Sequence, residues 1–317
     1  MRREGVAHIF GPVPSRRLGL SLGVDPVVPK TCTMDCVYCE LGATTDRTVR
    51  RAPYVDVDEI LSELAAKLRE RPRIDFVTLS GSGEPTLNSD LDRLIAGIRR
   101  LTDLPVAVLT NGSLMTDSAV CDALAPVDVV APSLDAATQA AFQAVNRPDP
   151  SLDVNEIAAA IAAFRRGFGG KLWLETLFVA GLNDDSDELA ALARAIARIE
   201  PDRVHLNTIV RPPTDPHVKP IAASRLREIA HLFGPRAEPI AGGTERVQMM
   251  VDRGSEDLIV SMAARRPVTV HDIARAIGTS QANAAKLAAA LTEKGFLKLV
   301  RHEGRLYYRA SPERGCP

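Results

Sequence analysis

The sequence predicts an α/β body built on a parallel sheet, followed by a small domain of three helices and a two-stranded wing. Three observations predict it. Short apolar runs rich in Val, Ile and Leu alternate with helical patterns, which is the signature of βα units. Glycines and polar residues gather just after those runs, where parallel sheets and barrels carry their chemistry. Past residue 255 the rhythm changes, and the charge with it. That segment has ten Lys and Arg against six Asp and Glu, within a chain of net charge −1.

After a Pro- and Gly-rich opening, residues 18–24 read as the first strand and 25–41 as a loop carrying three cysteines. Residues 57–71 are helical, with Ile60, Leu61, Leu64 and Leu68 on one side. Residues 74–79 form a strand that stops at Ser80-Gly-Ser-Gly-Glu-Pro85. Residues 91–100 form a helix, and 106–109 a strand that stops at Thr110-Asn-Gly112. Helix 118–124, strand 127–130, helix 154–166, strand 172–179, helix 186–199 and strand 204–209 continue the alternation. In the tail, helices are expected over 257–264, 270–277 and 281–294, with the tight corner at Gly278-Thr-Ser280. Strands 296–301 and 305–309 pair around His302-Glu-Gly304, so the tail reads as a winged helix-turn-helix. The domains are therefore expected at 1–240 and 255–317, with the boundary between residues 234 and 255.

Hydrophobic residues make up 45% of the chain and aromatics 4%, an ordinary globular composition packed by aliphatic side chains. No apolar run resembles a signal peptide or a membrane span, so a cytoplasmic, reducing location with no membrane partner is the expectation. The five cysteines agree with it. Three lie within eight residues, while Cys121 and Cys316 stand alone, which suits neither a disulfide framework nor a second cluster. Cys121, in an apolar helix, is expected as a buried small residue.

The informative stretch is Thr31-Cys-Thr-Met-Asp-Cys-Val-Tyr-Cys-Glu-Leu-Gly42. Thiolates of Cys32, Cys36 and Cys39, spaced four and three residues apart, can converge on one metal centre. Zinc is the alternative reading, but it calls for a fourth ligand. His8 is the nearest upstream histidine, and the next one downstream is His205. Three ligands suit a [4Fe-4S] cluster with one iron open to a bound molecule.

The pattern CxxxCxxC with Tyr38 before the last cysteine resembles the motif of the radical S-adenosylmethionine superfamily. The resemblance implies that S-adenosyl-L-methionine chelates the open iron and is cleaved by one electron to methionine and a 5'-deoxyadenosyl radical, which removes hydrogen from a substrate. It also implies a partial (β/α)6 barrel over residues 10 to 215 or so. Gly81-Ser-Gly-Glu-Pro85 resembles the segment that receives the methionyl amino group, through Gly81, Gly83 and Glu84. Thr110-Asn111-Gly112 and Ser133-Leu-Asp135 resemble the family's polar contacts to ribose and carboxylate. Tyr38 would pack on the adenine or the cluster, and Arg147 would close over the cofactor carboxylate. Taken singly, a GxG is usually a turn and a TNG a loop. Four such pieces behind strands of one sheet carry the argument together.

Gly11-Pro-Val-Pro-Ser-Arg-Arg-Leu-Gly19 resembles the branch containing the wyosine-forming tRNA enzyme and its shorter relatives. This chain departs from that enzyme, having no cysteine before Cys32 and no flavodoxin-like domain. An altered reaction is expected, with electrons from a separate flavodoxin or ferredoxin. Lys30, two residues before Cys32, is the candidate Schiff-base amine, surface charge being the other reading. Arg16 and Arg17 would bind phosphate or carboxylate, or else brace the N-terminal segment by ion pairs. Strand alternation puts His205 and Asn207 on one face, making Asn207 a candidate substrate contact and His205 either that or a core residue.

In the tail the helix 281–294 carries only Lys286 and Lys294 as basic residues, whereas the wing carries Lys298, Arg301, His302, Arg305 and Arg309. An RNA or peptide substrate, a protein partner or a bracing role all fit this distribution. An iron–sulfur redox regulator and a maturase docking on another protein are the competing functions.

Overall fold

The computed structural model describes residues 7–240 and 255–311. The exact domain boundary and Cys316 lie outside the described residues. β1 (Ile9–Ser15) and β2 (Gly19–Val24) form a hairpin, and β3 (Thr31–Cys32) pairs with β4 (Asp46–Arg47). The body continues as α1 (Val57–Arg69), β5 (Phe76–Leu79), α2 (Leu91–Leu101), β6 (Val106–Thr110), α3 (Ser118–Leu124) and β7 (Val129–Pro132). It ends with α4 (Gln139–Asn146), α5 (Val154–Gly167), β8 (Lys171–Phe178), α6 (Ser186–Ile199), β9 (Arg203–Thr208), α7 (Ala223–Phe233) and β10 (Ala237–Pro239). Most helices of the body start at a side-chain cap. Asp56, Asp117, Thr138, Asp153 and Asp185 each accept from a first-turn N–H.

One sheet runs β1-β2-β5-β6-β7-β8-β9-β10, antiparallel only in its first pair. The six expected strands are its parallel centre, and β1 and β10 extend it at the edges. Gly11, Pro12 and Pro14 disguise β1 as a loop. An edge position tolerates them because its outer N–H groups have no ladder to complete. The short α4, and α7 with β10, were also not expected.

Alternation along the strands gives the sheet two unlike faces. Leu22, Val77, Leu79, Val108, Leu174 and Leu206 point to the helices and form the main core. On the inner face Leu18, Ala107 and Val129 make a small apolar plug with Trp173 and Leu109. Beyond the plug the inner face turns polar, with Ser21, Thr78, Glu175 and Asn207.

The tail folds as α8 (Ser255–Arg265), α9 (Val270–Ile277), α10 (Gln281–Glu293), β11 (Leu297–His302) and β12 (Arg305–Ala310). Gly278 caps α9 at φ +65°, and Ser280 caps α10. Its core, from Ile259 and Ile273 to Leu291 and Leu297, takes in Val13 of β1. The tail is docked on the body at β1 and again on the chain that follows β9. Arg265 donates to Ala7 O at 2.5 Å and lies 4.4 Å over the Phe10 ring. Beyond β9, Tyr307 Oη donates to Val210 O at 2.6 Å and Arg309 to Pro212 O at 3.1 Å. The winged domain thus spans the open side of the partial barrel. Among the described residues, no helix is long and apolar enough to cross a membrane.

Candidate active site

The cysteine loop is held from several directions. Cys32 lies on β3, Cys39 N–H donates to Cys36 O at 3.0 Å, and Val37 N–H donates to Val145 O at 2.9 Å. Lys30 N–H donates to Ser82 O at 2.8 Å, and Glu84 N–H to Thr31 O at 3.1 Å, which ties the glycine-rich turn to the loop. Gly83 is where the two approach most closely, since a Cβ there would stand 2.0 Å from Thr31 O. Gly81, at φ +152°, packs against the Asp25 carboxylate in the same way.

Each sulfur has one nitrogen donor from a different segment. Asn111 Nδ2 is 3.6 Å from Cys32 Sγ, Asn146 Nδ2 3.4 Å from Cys36 Sγ, and Lys30 Nζ 3.4 Å from Cys39 Sγ. Burial, reinforced by Glu84, pushes the Cys32 thiol up to about 12, and burial with Asp135 pushes Cys36 well above the ordinary range. Such thiols ionise only when a cation replaces the proton, so the donor set fits metal binding. His8, Glu59 and Glu63 bring their ligand atoms within 4.8 Å of one another. Three cysteines fit a [4Fe-4S] cluster with one iron open, whereas a structural zinc site calls for a fourth ligand.

Behind the loop the strand ends form one network. The buried Glu84 carboxylate accepts from Thr86 N–H at 3.0 Å, Thr110 Oγ1 at 2.6 Å and Asn111 N–H at 2.7 Å. Asp135 accepts from the Tyr38 hydroxyl, from Asn146 Nδ2 at 2.7 Å and from Leu177 N–H at 2.8 Å. Burial raises the pKa of both carboxyls. Ser133 N–H donates to Thr110 O at 2.9 Å, and Ser133, Asn111, Asp135 and Asn146 line one narrow cleft beside Met34. Arg147, at φ +44°, pairs with Asp215 at 2.8 Å at the rim.

Of the remaining candidates, Arg16, Arg17 and Asn207 line the inner cavity. Arg16 donates to Asn207 Oδ1 at 3.2 Å, and Arg17 pairs with Glu175. His205 is buried beside Trp173, with ring centroids 5.5 Å apart. Sequence reasoning did not assign roles to Asn146, Glu40, Glu175, Arg265 and Arg266. Glu40 adjoins Cys39, which was a signal, but the others are brought in by tertiary contacts alone.

The radical SAM superfamily model matches residues 27–194, more than half of the chain, and the IclR helix-turn-helix domain model matches 260–301. A UPF0026 protein of Helicobacter pylori strain J99 is 33% identical over 86% of this chain and 88% of its own length. The GTPase Obg of Brachyspira hyodysenteriae is 34% identical over 95% of this chain, which spans only 45% of that protein. A GTP 3',8-cyclase of Acidothermus cellulolyticus is 36% identical over 53% of this chain and 46% of its own. A solved radical SAM methyltransferase from Sphaerobacter thermophilus shares the fold, with a TM-score of 0.53 at 20% identity over 69% of this chain and 65% of that one. The chain belongs to the radical S-adenosylmethionine superfamily and, within it, stands with the UPF0026 proteins. Members of the superfamily are enzymes that bind a [4Fe-4S] cluster and S-adenosylmethionine and need an electron donor, and these are the cofactors of this chain.

Proposed function

We propose that this protein is a radical enzyme that abstracts hydrogen from a substrate bound in the cavity between its partial barrel and its winged domain. The observation that carries the reading is the set of three convergent cysteines, each with its own nitrogen donor. When bound, the cluster and S-adenosylmethionine supply an electron and a 5'-deoxyadenosyl radical. Cys32, Cys36 and Cys39 would hold three irons. Tyr38, Ser133, Asp135 and Asn111 would line the cofactor, while Gly81, Gly83, Glu84 and Thr110 shape its loop and Arg147 guards the rim. Asn207, Arg16 and Arg17 would contact substrate, and Lys30 would orient the Cys39 side or meet a carbonyl. A flavodoxin or ferredoxin would deliver the electron.

The helix-turn-helix match supports a second reading, in which the substrate is RNA or a peptide recognised by the tail. The use of Arg309 and Tyr307 in docking to the body weighs against it. The test is anaerobic reconstitution, an iron and sulfide count, and an assay of 5'-deoxyadenosine with dithionite and S-adenosylmethionine. About four irons and product formation abolished in Cys36→Ala are the expected result. A stable cluster that never cleaves the cofactor would make the protein a redox regulator.

A further inference from the structure

We infer that the cavity under the winged domain is a binding site for a small phosphorylated substrate, built jointly by the two domains. This rests on the radical-enzyme reading, because the same cavity would hold the substrate. Its volume is about 300 Å³, at the lower end of small-molecule pockets. Five guanidinium groups line it, Arg16, Arg17 and Arg211 from the body with Arg265 and Arg266 from the tail. Two carboxylates share the lining, and two more act on its arginines from just outside it, Asp25 paired with Arg265 at 4.0 Å and Asp272 beside Arg211 and Arg266. Glu40 pairs with Arg211 at 3.1 Å, and Glu175 pairs with Arg17.

The positive charge that remains is half-buried, with Arg211 buried and Arg16 exposed, and it is incompletely bonded. Arg17 Nε and Arg211 Nε have no hydrogen-bond partner although both are shielded from solvent. Burial together with Arg16 holds Arg17 down at about 9, and burial with Arg211 holds Arg266 at about 10. Gathering like charges at low dielectric is unfavourable. A dianionic phosphate relieves it, since it brings two charges and three acceptor oxygens to planar forks. A carboxylate brings one charge and two oxygens to each fork, and citrate spreads its three carboxylates over separate carbons where pyrophosphate gathers its charge on two adjoining groups. Ser21, Thr78 and Asn207 add neutral polar contacts on the inner face. Glu40 both lines the cavity and follows Cys39, so a ligand held there lies beside the cysteine loop.

The small volume of the cavity favours a small molecule over a nucleic-acid chain. The wing commits Arg309 to Glu40 O at 2.6 Å and to Pro212 O, and α10 exposes chiefly Gln281, Asn283 and Lys286. The wing still exposes Lys298, Arg301 and Arg305, but α10 adds only Lys286 to them, short of the dense basic stripe that a phosphate backbone needs.

The test is calorimetric titration of the anaerobic, cluster-loaded full chain with inorganic pyrophosphate, citrate and a short single-stranded RNA. Pyrophosphate should saturate one site per chain, with citrate at least about tenfold weaker. Arg266→Gln and Arg16→Gln should each weaken pyrophosphate at least about tenfold, and Arg266→Lys should weaken it less, because charge is kept while the fork is lost. Arg266→Lys also keeps the comparison decisive if Arg16→Gln folds poorly. Non-saturating pyrophosphate, folded variants that bind like wild type, or citrate binding as tightly would each overturn the inference. So would RNA binding that depends on Arg305 and not on Arg266. The 5'-deoxyadenosine assay on the same wild-type preparation is independent. Pyrophosphate binding without cofactor cleavage removes the radical reading and leaves the site, and cleavage without pyrophosphate binding removes the site alone.

Discussion

Glu84 offers a sharp test of how the strand ends hold the cysteine loop. Its Oε1 accepts from Thr86 N–H, Thr86 Oγ1 and Thr110 Oγ1, and its Oε2 accepts from Asn111 N–H, all between 2.6 and 3.0 Å. The residue is 2% exposed, so water cannot replace it. In Glu84→Ala the two hydroxyls can turn elsewhere, but the two backbone N–H groups cannot. Each stranded donor costs about 1–3 kcal/mol, so the change should destabilise the body by about 4 kcal/mol. Glu84→Gln can keep its oxygen at the Oε1 position, with three donors satisfied. Only the amide against Asn111 N–H is then mismatched, and the expected cost is about 2 kcal/mol. The assay is urea unfolding of the anaerobic, cluster-free chain followed by fluorescence of Trp173, the single tryptophan, which sits on β8 of the body sheet. A Glu84→Ala cost below about 1 kcal/mol, or a Gln variant worse than Ala, would refute the hydrogen-bond accounting.

Gly83→Ala should cost about 2–3 kcal/mol by overpacking, whereas Gly167→Ala, with nothing within 4 Å, should be neutral or slightly stabilising in thermal unfolding. His205 is pushed down to about 4 by burial, Arg17 and Arg203, from 6.5. As pH falls the unfolded chain takes up this proton first, so stability is full above about 6.5 and is lost toward 4, by about 2 kcal/mol at pH 5. Urea unfolding at pH 7.5 and pH 5, with His205→Gln as the reference that lacks this loss, measures it. Asn146→Ala removes the donor 3.4 Å from Cys36 Sγ. It should make the reduction potential of the loaded cluster more negative, read by redox titration with electron paramagnetic resonance.

The cysteine loop was legible because its chemistry is local. Three thiolates within eight residues define a centre whatever surrounds them. The six central strands were legible through their apolar alternation with helices, and the turns at Gly278 and Ser280 through their own backbone and capping preferences. β1 was hidden by its prolines, which an edge position alone makes acceptable. Asn146 carried no signal, since nothing near it in sequence says that its amide meets Cys36 and Asp135.

The tail shows the division most plainly. Its helices, turn and hairpin follow from periodicity and capping, which leave the basic wing free to meet RNA or peptide. Tertiary structure turned Arg309 and Tyr307 inward onto the body and brought Arg265 and Arg266 to Arg16, Arg17 and Arg211. Residues that belong to one loop or one helix face are set by local geometry and can be read in order. A charge cluster drawn from positions about 250 residues apart exists only once the sheet has curved and the second domain has closed over its open side, because Coulomb interactions act through space and leave no period in the chain.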